Sequence, residues 1–344
     1  LVTVVVPMRN EEHNARRCIL SLAAQLYRRL EIVAVDDSST DGTLSVLRAL
    51  EREVPSLRVV RCGRKPRGWV GKNYAIARGL ECARGEFLLF MDADTAASPG
   101  LVGAAVSYAL EHGLDLLSLL PQQELGTFWE RVVLPMVFAV IGSAFPHDRV
   151  NDPTAPEAAA CGQFILVRRA PYERLGGHAA VRDKIVEDFE LARLFKSRGC
   201  SIGLLDGRPL LRVRMYRNLG EIWEGWTKNL FPGIECSWAR LVRGLVVVGA
   251  GGLLPPVLAA WGVWSALTGG WGLEAAAIGG VGAWMCGLNV AYHGRVLARH
   301  GVPRPYVLLF PLSTAVFLVL FAGSAYKVSI RGGVTWKGRL YRAG

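Results

Sequence analysis

The chain opens on LVTVVVP, a run of β-branched residues that Pro7 ends and the polar stretch MRNEEHN follows. EIVAVDDSSTDGT repeats the arrangement, an apolar run delivered into Asp36, Asp37 and Asp41. Between them, Asn14 to Leu26 carry Cys18, Leu22 and Leu26 at helical spacing, which predicts a helix with these three on one face. Strand, helix and strand at this short spacing predict a right-handed βαβ unit in a parallel sheet, whose ligands bind off the carboxyl ends of the strands. The acidic clusters lie at those ends, so the first part of the chain reads as an α/β domain that presents carboxylates to a ligand.

A third apolar run, FLLFMDADT from Phe87 to Thr95, ends in Asp92 and Asp94. Read as a strand, it sends residues i and i+2 to the same side, so the two carboxylates would converge. Like charges at that distance repel unless a cation lies between them, and a divalent ion that also bridges a diphosphate satisfies the pair. The competing reading is a solvated strand end whose two aspartates merely open a turn. No GxGxxG follows the first strand and no GxxxxGK[ST] occurs, which argues against dinucleotide oxidoreductases and P-loop enzymes.

Past residue 235 the pattern changes. Gly244 to Leu267, Trp271 to Tyr292 and Tyr306 to Ala325 lack a polar face, Glu274 excepted, and each has the length that a hydrocarbon core of about 30 Å demands. Arg240 and Arg243 precede the first segment, the loop Thr268 to Gly270 has no charge, and Arg295, Arg299 and Arg304 flank the next loop. By the positive-inside tendency the N-terminal domain and that basic loop face the cytoplasm. Three full crossings would leave Lys327, Arg331, Lys337, Arg339 and Arg342 outside, against the same tendency. One segment is therefore expected not to cross fully, bent at Pro311 or at Pro255 and Pro256.

A fourth apolar stretch, Val132 to Phe145, is too short to span and reads either as an interfacial helix near a lipid entrance or as a buried helix of the first domain. Leu1 is not a methionine, which leaves room for a removed upstream segment, such as a further anchor. The 40 basic against 29 acidic residues give a net charge of +11, suited to anionic lipid, a pyrophosphate or nucleic acid. No basic reading helix or aromatic-studded groove supports nucleic acid. The seven cysteines are scattered and lack a CxxC, which argues against zinc and disulfide frameworks and for reduced thiols.

In chain order, VVVPMRNEE, VDDSSTDGT, GKNYAIARG (Gly71 to Gly79), MDADT, CGQF (Cys161 to Phe164) and VEDFELARLF (Val186 to Phe195) resemble the motifs of the inverting nucleotide-sugar glycosyltransferases of family 2, which have the GT-A fold. GGHAAV, RMYRN, WEGWTKNLF and TWKGRLY look most like the membrane-bound branch, the hopanoid-associated and carotenoid-acid enzymes, with ceramide glucosyltransferases more distant. The resemblance implies a GT-A (Rossmann-like) nucleotide-sugar-binding domain over residues 1–235 and a C-terminal helical membrane domain over 236–344. It further implies that Asp94 binds Mg²⁺ or Mn²⁺ while Asp92 contacts the ribose or shares the metal. Asp37 would accept a hydrogen bond from the nucleotide base, and Pro7, Arg9, Asn10 and Glu11 would frame that pocket. Lys72 is a phosphate or donor contact, or else a solvated lysine in a Gly-rich loop. Val186, Glu187 and Asp188 stand where relatives carry Thr-Glu-Asp, which makes Asp188 the catalytic base and Glu187 the next candidate. FELARLFKSRG has helical spacing, so the plain alternative is a helix cap. An inverting single displacement needs no enzyme nucleophile, and none is assigned.

On the acceptor side, Gly162 would permit close backbone approach, and Gln163 and His178 would hydrogen-bond a sugar or acceptor oxygen, His178 reading also as a structural histidine. Processive relatives carry QxxRW where this chain has WEGWTKN. The Trp is retained as Trp226 but the Gln and Arg are missing, which favours one transfer over polymer synthesis. TWKGRLY, with Trp336, Lys337, Arg339 and Tyr341, mixes aromatic and basic residues as an interfacial anchor does, and in this branch would return to the active site. The expectation is an integral membrane, metal-dependent inverting glycosyltransferase that moves one sugar from a UDP-sugar to a hydroxyl or carboxylate of a membrane lipid. The alternatives are a processive polysaccharide synthase and a catalytically inactive nucleotide- or lipid-binding membrane scaffold.

Overall fold

A computed structural model describes residues 1–270 and 272–341, so Trp271 and Arg342 lie outside the described residues. The apolar runs form strands β1 (Val2–Met8), β2 (Leu30–Asp36), β3 (Leu57–Arg61), β4 (Phe87–Phe90), β5 (Thr95–Ala97), β6 (Leu116–Leu120), β7 (Gln122–Gln123), β8 (Ile165–Arg168), β9 (Ile202–Asp206) and β10 (Leu211–Val213). Seven of them make one sheet in the order β3-β2-β1-β4-β8-β6-β9. Strand β8 runs antiparallel to both neighbours, and the other pairs are parallel. Side-chain alternation buries both faces. Val2, Val4 and Val6 enter one core while Val5, Val33 and Val35 enter the other, as expected of a largely parallel sheet covered on both sides.

The predicted βαβ unit is present as β1, the helix Glu12–Ala23 and β2. Cys18 and Leu22 are buried, but Leu26 is 76% exposed and lies beyond the helix. Its amide bonds to the Pro99 carbonyl at 2.9 Å, which takes the chain out of the helical path. The strand order places β1 between β2 and β4, so the crevice that such sheets offer opens at the ends of these three strands. Because β8 is reversed, with Ile165 paired to Phe90, the CGQF stretch just before it reaches that same edge.

The chain divides into two compact units, Leu1–Glu124 with Phe145–Met215, and Leu125–Ala144 with the chain from Tyr216 onward. The division falls after Met215, where the sequence suggested residue 235. The helix Leu219–Gly233 belongs to the second unit because it packs on the helix Phe310–Ser329. There the Phe231 amide donates to Ser324 Oγ at 2.9 Å and Lys327 Nζ donates to Thr227 Oγ1 at 2.8 Å. The stretch read as Val132 to Phe145 forms the helix Phe128–Ala144 and falls in the second unit, so it is not a core helix of the first.

In the second unit, Trp238–Leu267, Leu273–Arg299 and Arg304–Ser329 are long and apolar enough to cross a membrane. Regular helix breaks at Leu253, just before Pro255 and Pro256, and Pro311 opens the last helix after a 3₁₀ turn over Arg304–Leu309. With the prolines included, each of these spans keeps the length of a full crossing. A Cβ on Gly262 would lie 2.5 Å from the Cα of Gly279, so these two helices touch backbone to backbone. Small residues at such contacts are how helices associate in lipid, where burial from water supplies no drive. The tail forms a hairpin, Val334–Trp336 with Arg339–Tyr341, turning at Lys337 and Gly338, whose φ values are 44° and 74°. The Lys337 amide donates to Glu224 Oε1 at 3.2 Å and Lys228 Nζ sits 4.7 Å above the Trp336 ring, which docks the hairpin on the helix Leu219–Gly233.

Candidate active site

The first unit gathers its polar side chains at the carboxyl ends of β1, β2 and β4. Asn10 and Ser38, just past β1 and β2, both take left-handed φ values, 53° and 54°. Such backbone costs of order 1 kcal/mol or more for non-glycine residues and persists where the surroundings dictate it. Here the two loops interlock. An Arg9 guanidinium nitrogen donates to the carbonyls of Asp37 and Ser38 at 2.8 and 2.7 Å. The Asn10 amide donates to Ser39 Oγ at 3.1 Å, and Asn10 Oδ1 accepts from the Thr40 amide at 2.9 Å. The Glu11 amide donates to Thr43 Oγ1 at 2.7 Å. Arg9, Asn10 and Glu11 therefore build a rigid frame after β1, and Pro7, paired with Val35 in the sheet, leads into it. Asp36 and Asp37 are buried beside it. Asp36 Oδ1 accepts from the Ser39 amide at 3.2 Å, whereas Oδ2 has no hydrogen-bond partner among the described residues. A buried acceptor without a donor is costly and calls for an explanation, of which a ligand N–H is one.

The Asp92 and Asp94 pair is not presented by a strand. Strand β4 stops at Phe90, and Asp92 to Asp94 form a turn closed by the Thr95 hydroxyl and amide, which donate to the Asp92 carbonyl at 2.7 and 3.4 Å. Strand alternation therefore does not set their directions. The Asp92 carboxylate goes to Lys72, with Nζ 2.7 Å from Oδ1. Asp94 is held through its carbonyl, which accepts from the Arg214 amide at 3.2 Å. Among the described residues no group of three or more His, Cys, Asp or Glu side chains is placed to hold a metal ion. Two hard carboxylates at most would come from this pair. That suits Mg²⁺ or Mn²⁺, which complete their shells with phosphate and water oxygens.

The helix Gly71–Leu80 carries Lys72 into the middle of the site. Its ammonium is 2.7 Å from Asp92 Oδ1 and 2.7 Å from Glu187 Oε1. Glu187 and Asp188 lie in the first turn of the helix Glu187–Ser197. Asp188 Oδ1 accepts from the Phe189 amide and Oδ2 from the Gly162 amide, both at 2.9 Å. A helix-end role accounts for the first bond but not for the second, which reaches across to the CGQF stretch. Burial, then the neighbouring Glu187 charge, push the Asp188 carboxyl up to about 7, against the opposing pull of Lys72 and the two amides. Burial acts to lower the Lys72 ammonium, but Asp92, Glu187 and Asp188 outweigh it and hold it well above its ordinary value. A Cβ on Gly162 would lie 2.9 Å from Lys72 Nζ and 3.2 Å from Asp188 Oδ2, so a larger residue there would displace the ammonium.

Cys161 Sγ donates to Gln163 Oε1 at 3.3 Å, and burial pushes the thiol up to about 12, so it is no nucleophile at neutral pH. Gln163 is buried beside it. His178 Nδ1 lies 2.7 Å from Tyr172 Oη, its own amide donates to the same hydroxyl at 2.9 Å, and its ring sits edge-on to Phe90. Burial, partly opposed by Glu187, lowers its pKa to about 4 and leaves it neutral. Trp226 belongs to the second unit, buried against Phe138 and Tyr216. Asn73 escaped the sequence reading. It is fully buried and donates to the carbonyls of Val181 and Lys184 at 2.8 and 3.1 Å, fastening the loop that runs into Glu187 and Asp188. An amide next to a lysine at the start of a helix, in GKN, was the available signal.

The profile of Glycosyl transferase family 2 covers residues 3–176, half of the chain. The chain belongs to glycosyl transferase family 2. A 4,4'-diaponeurosporenoate glycosyltransferase from Staphylococcus aureus (strain MRSA252) is 26% identical over 357 aligned positions, taking in 99% of this chain and 88% of that protein. One of the same name from Staphylococcus haemolyticus (strain JCSC1435) is 27% identical over 72% of this chain and 65% of its own length. Among solved structures, the mannosyltransferase PcManGT from Pyrobaculum calidifontis, in complex with GDP-Man and Mn²⁺, is similar with a TM-score of 0.52. Its identity is 19%, over 95% of this chain and 86% of that one. The seven-stranded sheet of this family 2 glycosyltransferase is thus the GT-A fold, with three long apolar helices in the C-terminal part.

Proposed function

We propose that this family 2 enzyme transfers a single sugar, with inversion, from a nucleoside diphosphate sugar, UDP-linked in our reading, to a hydroxyl or carboxylate of a membrane lipid. The observation that carries the chemistry is Asp188, a carboxylate of raised proton affinity fixed by the Gly162 amide at the strand edge that also bears Asp92. With a hydroxyl acceptor, Asp188 would take its proton as the oxygen attacks the anomeric carbon and the bond to the diphosphate breaks on the opposite side, whereas a carboxylate acceptor, already ionised, would attack without giving up a proton. When bound, Mg²⁺ or Mn²⁺ on Asp94 and Asp92 would supply charge neutralisation for the leaving diphosphate. Asp37 and Asp36 would receive the nucleobase, within the frame of Pro7, Arg9, Asn10 and Glu11. Gly162, Gln163 and His178 would line the acceptor side, and Trp226 would contact the acceptor.

Two observations support a lipid acceptor. Three helices are long and apolar enough to cross a membrane, and the curated relatives are named for diaponeurosporenoate. The basic residues flanking these helices support a catalytic domain on the cytoplasmic side. The direct test of the chemistry is Asp188→Asn, which keeps the shape of the side chain but cannot take a proton. Turnover should fall about a hundredfold or more, while UDP affinity by calorimetry changes less than about threefold. Unimpaired turnover, or a loss accounted for by nucleotide binding, would move the base to another residue.

A further inference from the structure

Lys72 makes ion pairs with both an acid from the end of β4 and an acid from the helix Glu187–Ser197. Its ammonium is engaged there on two sides. It sits 2.7 Å from Asp92 on one side and 2.7 Å from Glu187 on the other, with Asp188 close enough to feel its charge. The space is closed by Gly162, whose backbone holds Asp188 and whose missing Cβ leaves room for the ammonium. The next residue, Asn73, ties the loop before Glu187 to the same helix. One short helix start therefore carries both fastenings between the donor-side turn and the base-bearing helix.

We infer that Lys72 is a positioning residue that clamps Asp92 to Glu187 and so holds Asp188 against the Gly162 amide, rather than a contact to the phosphates of the donor. This rests on the reading of Asp188 as the base. The chemistry follows from the charges that face one another: Asp92, Glu187 and Asp188 are three carboxylates grouped around one ammonium, with His178 neutral nearby. Take the ammonium away, and Glu187 and Asp188, adjacent in sequence, repel without its charge to offset the repulsion. Asp188 would then swing from Gly162 or hold its proton, and either outcome disables the base while leaving the nucleotide pocket after β1 and β2 intact.

The test uses the full-length enzyme, with UDP and Mn²⁺ as the binding probe and, for turnover, the UDP-sugar and lipid extract that support transfer by the parent. Lys72→Met should lower turnover about thirtyfold or more while UDP affinity shifts less than about threefold. Adding Glu187→Gln to that variant removes the repelling charge, and turnover should recover at least about fivefold, a non-additivity that a merely structural lysine would not show. Gly162→Ala, which displaces the ammonium without deleting it, should reproduce the loss and serves as the second variant if Lys72→Met does not fold. A tenfold weakening of UDP with turnover retained would make Lys72 a donor contact and overturn the inference. Unchanged turnover, or no recovery on adding Glu187→Gln, would overturn it as well. Failure of the Asp188 assignment shows separately, as an Asp188→Asn variant that still turns over.

Discussion

At the scale of single residues, the site is governed by how many carboxylates share how few cations. Asp188 is the clearest case, because burial and Glu187 raise its proton affinity while Lys72 and two amides oppose the rise. As a base it must be deprotonated, so kcat/KM should fall as pH drops through about 7, about tenfold per unit below that point. An acid limb near 4 would mean that Asp188 does not control the rate. The same shift has a consequence for stability. Between the ordinary carboxyl value and about 7 the folded state binds the extra proton, so this group's contribution declines as pH rises through that window. Asp188→Asn removes the penalty, and its melting temperature should equal or exceed that of the parent at pH 8, with the gap closing toward pH 5. Asp94 yields a different prediction. If it carries the ion, UDP should bind the parent more tightly with Mn²⁺ than with EDTA in calorimetry, and Asp94→Ala should abolish that difference. A variant whose UDP affinity still responds fully to Mn²⁺ would remove Asp94 from the metal site.

Among elements, the strands were legible and the turns were not. VTVVVPM and LEIVAVD could be read as adjacent parallel strands because β-branched runs cut by Pro or Asp leave little else to form, and both lie fully in the sheet. The helix after β1 was legible from Cys18 and Leu22 but not in its end, since Leu26 is removed by a bond to the distant Pro99 carbonyl that no local pattern announces. Asp92 and Asp94 lie in a turn rather than on a strand. Local apolar periodicity cannot foresee that Thr95 turns the chain back on the Asp92 carbonyl. The Lys72 link to Glu187 joins residues more than a hundred positions apart, and only the fold brings them together. In the C-terminal helices, small residues set the approach of Trp238–Leu267 to Leu273–Arg299. Gly279→Leu would push a side chain into the Gly262 backbone, where a Cβ alone lies 2.8 Å from Cα, so a loss of about 1–3 kcal/mol is expected. Thermal unfolding in detergent measures it, and an unchanged melting temperature would show that the two helices do not pack in this way.

For the whole molecule, one chain joins a GT-A unit to three helices with the length and hydropathy of membrane spans. That combination was readable from the pattern along the chain, since past residue 235 long uncharged segments alternate with arginines and lysines gathered at their boundaries. The boundary was harder to place, because WEGWTKNLF looks like soluble sequence yet forms a helix that packs on the last apolar one. The departure from QxxRW argues for one sugar per acceptor, and the apolar helices argue that the acceptor is a lipid. Both meet in a single experiment, in which the full chain is reconstituted in liposomes with lipid extract and offered a panel of UDP-sugars together with GDP-mannose. Mass spectrometry of the recovered lipids should show, with one UDP-sugar, a lipid ion heavier by one sugar residue and no series above it. A ladder of additions, or sugar found only on water-soluble acceptors, would contradict the account.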